Sequence, residues 1–232
     1  PIYAASADGT ATTADGDYQA LATTTLTFTP GGPLTQTVSV LVSGDMKVEA
    51  NETFSVNLTN LAAGGRSVSI GDAQGVGTIT NDDAAVFTID DVTTSEGNGG
   101  QTAFVFTVTL SHPVDVAISV DAATANGTAT TADGDYQGFG ATTLTFTPGG
   151  PLTQTVAVQV NGDTKVESNE TFTVNLTNLA AGGRSVTIGD AQGLGTITND
   201  DAAVFTIRED ASGAEDGGPI TFTIDLSQPV DQ

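Results

Sequence analysis

"TAFVFTVTLS", residues 102–111, alternates apolar and polar side chains. Phe104, Phe106, Val108 and Leu110 fall on one face of an extended chain, with Val105, Thr107 and Thr109 on the other. A period of two held this long predicts a strand with one buried face; a helix would repeat every 3.6 residues.

The alternation continues on both sides. Phe87 and Ile89 precede it in "AVFTID". Val116, Ile118 and Val120 follow, then Leu144 and Phe146, then Val156, Val158 and Val160. Phe172, Val174 and Leu176 come next, and Leu194 and Ile197 close the series. Turn chemistry separates the runs: "EGNGG", "SHPVD", "ADGD", "TPGGP", "NGD" and "AAGG". Seven one-faced strands with short turns and no helical stretch predict an all-β fold, a seven-stranded antiparallel β-sandwich of immunoglobulin-like type.

The sequence also repeats itself. "GTATTADGDYQ" stands at 9–19 and 127–137, and "TITNDDAAVFTI" at 78–89 and 196–207, both at an offset of 118 residues. Residues 8–87 and 126–205 differ at 13 of 80 positions. A period this long suits whole domains in tandem rather than solenoid units. "TNDDAA" marks the boundaries. Residues 84–201 are then a complete repeat, 1–83 a repeat lacking its first strands, and 202–232 the first two strands of a third. Pro1 is not a natural start, so the chain reads as a segment of a longer one.

Acidic residues number 28 against 5 basic, a formal net charge of -23. Phosphates of nucleic acid and anionic membrane surfaces would be repelled. No apolar run approaches the length of a membrane span. The chain has no Cys, which excludes disulfides, zinc–thiolate sites and Cys nucleophiles. With one His, no phosphate loop and no Ser–His pairing, nothing supports catalysis, and the protein is not expected to be an enzyme.

The acidity is concentrated. "NGDTKVESNETF", 161–172, carries Asp163, Glu167 and Glu170, and "SGDMKVEANETF", 43–54, repeats it. The i, i+4, i+7 spacing matches a helix face, but like charges there repel and Gly162, Val166 and Asn169 are poor helix formers, so a loop is expected. Loops distant in sequence meet at one end of a sandwich. Asp133 and Asp135, Asn199, Asp200 and Asp201, and Glu96 sit in other loops or strand ends that can converge there. Such a set repels itself or takes up protons unless a cation bridges it. Ca²⁺, which accepts 6–8 flexible oxygen ligands, suits it better than Mg²⁺. Asp15 and Asp133 read as turn formers. Tyr18 and Tyr136 read as core or corner tyrosines, and Arg66 and Arg184 as surface groups in loops at the opposite end.

"SEGNG", "GTATTADGDY", "LTFTPG", "NGDTKVESNETFTVNL" and "GTITNDD" together resemble the Calx-beta domain, found in sodium–calcium exchangers, an integrin beta subunit and large bacterial surface proteins. The resemblance covers 84–201 throughout, 1–83 for the later strands and 202–232 for the first two. It implies calcium ligands at Glu96, Asp135, Asp163, Glu167, Glu170, Asp200 and Asp201. In the first repeat the matching positions are Asp17, Asp45, Glu49, Glu52, Asp82 and Asp83. The chain departs from the family at Gly162 and Gly44, and at Asn199 and Asn81, where acidic residues are often found; fewer or weaker sites follow.

Near-identical acidic beads without Cys suggest an extracellular or cell-surface segment, an adhesin stalk or filament with Ca²⁺ at its junctions. The alternative is a calcium-sensing or ligand-binding module. Residues 202–232 supply what 1–83 lacks. Neighbouring copies are therefore expected to join head to tail by strand complementation, with Glu215 completing the metal site of the next copy; the alternative is that the 232 residues are an arbitrary cut from a longer continuous fibre, in which the next repeat supplies the same strands.

Overall fold

The computed structural model describes residues 1–231 and contains no helix among them. The chain divides into two compact units. The first is Pro1–Ala84 together with His112–Val116 and Gly183–Ser185; the second is Ala85–Ser111, Ala117–Gly182 and Val186 onward.

The first unit has four strands: β1 (Ile2–Asp8), β2 (Thr24–Leu26), β3 (Glu52–Thr59) and β4 (Gln74–Ile79). They form one antiparallel sheet in the order β2-β1-β3-β4.

The second unit contains β5 (Ala85–Ile89), β6 (Val92–Ser95), β7 (Gly100–Leu110), β8 (Ile118–Asn126) and β9 (Tyr136–Gln137). It continues with β10 (Thr142–Phe146), β11 (Thr153–Gly162), β12 (Glu170–Ala180), β13 (Val186–Ile188) and β14 (Gln192–Thr198), and ends with β15 (Phe205–Ile207) and β16 (Ile224–Leu226). Two five-stranded sheets result, β10-β8-β12-β14-β6 and β13-β5-β7-β11-β9, while β15 and β16 pair as a separate hairpin. The sandwich read from the alternation is present. All seven runs are strands, joined by the short β6, β9 and β13.

One feature departs from a purely antiparallel sandwich. β13 runs parallel to β5, and β14 parallel to β6. The first strand is split: the chain passes from one sheet to the other between β5 and β6 without reversing. Asp90 and Asp91 cover the gap, accepting the backbone N–H of Thr107 at 2.6 Å and of Leu194 at 2.7 Å. Gly193 admits the crossing, since a β-carbon there would stand 2.5 Å from the Asp90 carbonyl oxygen.

The core is the set of alternating residues. Phe104, Phe106 and Val108 on β7 are fully buried, as are Val158 and Val160 on β11. The other sheet brings Ile118 and Val120 from β8 and Phe172, Val174 and Leu176 from β12. Phe172 meets Phe104 and Phe106 at centroid distances of 5.8 and 5.9 Å, and Tyr136 stacks on it at 4.5 Å. The Tyr136 hydroxyl donates to Asn126 Oδ1 at 2.6 Å, so the buried ring keeps a partner for its polar end.

The first unit has the same side chains and less cover. Phe28 is 47% exposed where its counterpart Phe146 is 2% exposed, and Val42 is 44% exposed where Val160 is buried. Residues 35–44, the counterpart of β11, form no strand beyond a single bridge from Val42 to Tyr18. In the second unit β11 pairs along its length with β7. Among the described residues no strand lies beside 35–44 as β7 lies beside β11, and an extended chain without a partner forms no ladder.

Candidate metal centre

Five loops and strand ends build the acidic end of the second unit. The turn before β9 presents Asp135, whose Oδ2 accepts the backbone N–H of Thr130 at 2.7 Å. Asp133 in the same turn bonds the Thr130 hydroxyl at 2.9 Å, the turn role its "DGD" setting suggests. Asp163 closes the turn after β11 by accepting the Lys165 N–H at 2.6 Å. Glu170 opens β12. Glu96 follows β6, and Asp200 and Asp201 follow β14, the strand β6 runs beside.

These elements bring the carboxylates into two groups. Oxygens of Asp135, Glu167 and Glu170 lie within 4.8 Å of one another, as do those of Glu96, Asp200 and Asp201. The groups are electrically continuous. Burial pushes the Glu96 carboxyl up to about 7, and Glu167, Asp163, Asp200 and Asp201 add to the effect. Burial followed by the charge of Asp135 pushes Glu170 up to about 7 as well. All seven carboxylates matched in this repeat therefore take part in one field.

Two features suit this end to a cation. Glu96 is 5% exposed, the one buried charged residue among those described. Asp201 Oδ2 is buried without a hydrogen-bond partner, although Asn98 donates to its other oxygen at 2.5 Å. A buried carboxylate oxygen left unpaired costs free energy that a cation would recover. Lys165 contacts Glu167 alone among these carboxylates, one charge against the set.

The first unit repeats half of this. Asp17, Glu49 and Glu52 have oxygens within 4.8 Å of one another. They line one cleft together with Asp45, Asp82 and Asp83, so the six positions matched in this repeat share a site. Burial, then Asp17 and Glu49, push the Glu52 carboxyl up to about 6. Glu215 is exposed and joins none of these clusters.

The sequence reading missed the residues that organise the loops. Asn199 Oδ1 accepts the Glu167 N–H at 2.9 Å, its amide nitrogen donates to the Asp201 carbonyl at 2.9 Å, and its own N–H donates to Asn169 at 3.1 Å. Asn81 does the same for Glu49 and Asp83, and Asn51 takes the part of Asn169. Asn199 and Asn81, where the family often has an acidic residue, thus tie the loops of the cluster together. Arg184 corrects another expectation. It is not a free surface group: its guanidinium grips Asp115 with two bonds of 2.5 and 2.8 Å, at 16% side-chain exposure. Arg66 is exposed, as expected.

The Calx-beta domain model matches residues 2–91 and 80–210. The chain belongs to the Calx-beta family. Among solved structures, the apo form of the Calx CBD1 domain is similar at 25% identity and a TM-score of 0.44, over 51% of this chain and 100% of that one. The tandem CBD12 of CALX1.2 is similar at 20% identity and a TM-score of 0.43, over 84% of this chain and 86% of its own. The calcium-binding domain CBD12 of CALX1.1 follows at 18% identity and 0.38, over 84% and 85%. No curated protein matches significantly. The two matches of the Calx-beta model each take in one of the acidic clusters, Asp17, Glu49 and Glu52 in the first and Asp135, Glu167 and Glu170 in the second.

Proposed function

We propose that each Calx-beta repeat of this protein binds Ca²⁺ through its acidic loop cluster. The observation that carries the reading is the pair Glu96 and Asp201: a buried carboxyl surrounded by four others, and a buried carboxylate oxygen without a partner. Seven carboxylates in flexible loops fit the six to eight oxygen ligands of Ca²⁺ better than the strict octahedron of Mg²⁺. The test is calorimetric titration with Ca²⁺ after chelation; binding by the parent and none by Glu96→Gln with Glu170→Gln in the second unit supports it. A parent chain that releases no heat and keeps its melting temperature in millimolar Ca²⁺ sinks it.

The setting we propose is a structural repeat segment of an extracellular or surface filament, built by neighbouring copies. Repeats differing at 13 of 80 positions suit mechanical spacing. The β15–β16 hairpin pairs Phe205 with Leu226 and Ile207 with Ile224, the register in which β5 pairs Phe87 with Leu110 and Ile89 with Val108. Phe205 and Ile207 are 73% and 63% exposed, whereas Phe87 and Ile89 are buried. Phe28 of the first unit is exposed, whereas its counterpart Phe146 packs against Phe87 of β5 at a centroid distance of 5.0 Å. Complementation by a second copy follows, by the addition of strands to an open edge.

A further inference from the structure

Within the first unit, Val48 stands one residue before the metal-cluster carboxylate Glu49 and is held by a segment far away in sequence. Its N–H donates to the Pro113 carbonyl at 2.9 Å, and its carbonyl accepts the Asp115 N–H at 3.3 Å. Val48 and Val114 are 0% and 2% exposed and pair as a parallel bridge. The Asp115 carboxyl is lowered from its ordinary value, first by its hydrogen bonds from Arg184, with the backbone N–H of Ala50 also contributing. The residues on both sides of Glu49 are therefore fixed, and Glu49 itself receives Asn81 on its N–H at 3.0 Å.

The arrangement occurs twice. In the second unit Val166, one residue before Glu167, donates to the Pro229 carbonyl at 2.9 Å and accepts the Asp231 N–H at 3.1 Å. "SHPVD" at 111–115 and "SQPVD" at 227–231 are the matching segments. Two independent copies of one geometry mark a built contact.

We infer that the Pro-Val-Asp segment is a clamp on the metal loop, and that Asp115 and Arg184 are positioning residues for the Asp17, Glu49 and Glu52 cluster. Neither touches the ion. Asp115 fixes the backbone of Val48–Ala50, and this fixes where the Glu49 carboxylate points. Arg184 holds Asp115 in place and adds positive charge near Glu49. Groups that orient metal ligands in this way are worth about 10–100-fold in affinity when lost. The inference deepens the calcium reading and rests on it.

The test uses the full chain with Glu96→Gln, Glu167→Gln and Glu170→Gln, so that the first cluster alone reports in a Ca²⁺ titration. Asp115→Ala is expected to weaken binding by about tenfold. Asp115→Asn, which keeps an acceptor for Ala50 and loses the charge, should weaken it less, and Arg184→Lys less than Arg184→Gln. Amide hydrogen exchange without Ca²⁺ gives the second readout. The Val48 and Ala50 amides should lose protection in Asp115→Ala while the β3 amides keep theirs, which separates a local effect from unfolding. Unchanged affinity, or unchanged protection at Val48 and Ala50, overturns the clamp. A parent that binds no Ca²⁺ overturns the calcium reading instead, and the exchange data, taken without the ion, tell the two failures apart.

Discussion

Gly195 lies so close over the ring of its cross-strand partner Phe172 that a β-carbon there would come within 2.4 Å of Phe172 Cζ. The ring is fully buried and stacked by Tyr136 on its other side, so it has nowhere to move. Gly195→Ala is expected to destabilise the sandwich by about 1–3 kcal/mol, the usual cost of overpacking a core. Gly77 stands over Phe54 at the same 2.4 Å, but Phe54 is 8% exposed in a unit with an open face. Gly77→Ala should cost less. Urea denaturation followed by circular dichroism and methyl NMR distinguishes the two; equal costs would contradict the packing argument.

The raised carboxyls make a signed claim about pH. In the folded chain Glu96 and Glu170 sit at about 7 and Glu52 at about 6, against 4.5 for a free glutamate. Between these values the folded chain binds more protons than the unfolded one, so stability falls as pH rises. The contribution is complete below about pH 4.5 and is lost through about pH 7. In chelator, the melting temperature should drop from pH 5 to pH 7.5. In millimolar Ca²⁺ the drop should shrink or reverse, because the ion takes the deprotonated carboxylates. A melting temperature that rises with pH in chelator would refute the electrostatics of the cluster.

Removing charge should act in opposite directions with and without the ion. Glu167→Gln with Glu170→Gln deletes both carboxylates grouped with Asp135. In Ca²⁺ the second unit should lose most of its thermal response to the ion, since ligand-linked stabilisation grows with the logarithm of ligand concentration over Kd and vanishes when affinity is lost. In chelator the same variant should melt at or above the parent temperature, because repulsion is relieved. A variant that melts lower in both conditions would make these side chains structural.

The strands were legible because burial on one face writes its period directly into the sequence, as Phe104, Phe106, Val108 and Leu110 show. The acidic end was legible because Asp163, Glu167 and Glu170 stand within eight residues of one another in the sequence. What stayed hidden depends on pairing across the chain. The parallel edges β5–β13 and β6–β14 follow from a crossover at Asp90–Asp91, which no local period marks. The bonds of Asn199 and Arg184 went unread because their partners, Glu167 and Asp115, are 32 and 69 residues away. A side chain's hydrogen-bonding role is set by what folding brings to it, and residue type alone does not carry that.

The proposed strand complementation, if it joins separate chains, predicts their concentration-dependent association. Phe205, Ile207, Ile224 and Leu226 are 73%, 63%, 65% and 39% exposed. Phe87, Ile89, Val108 and Leu110, their counterparts, are buried in the complete sandwich. Burying one such side chain is worth about 1.5–3 kcal/mol, so a hairpin that inserts all four has a strong drive to find a second copy. Because the donor and the acceptor lie on different parts of the chain, the contact is heterologous and need not close. Sedimentation or light scattering should show a mass that grows with concentration. Phe205→Ser with Ile207→Ser should return the chain to monomer, while leaving the melting of the sandwich formed by β5–β14 unchanged. Addition of a synthetic peptide spanning 202–231 should compete with the association and cap the first unit. A monodisperse monomer at every concentration, or association that survives the double serine change, would remove strand complementation as the basis of assembly.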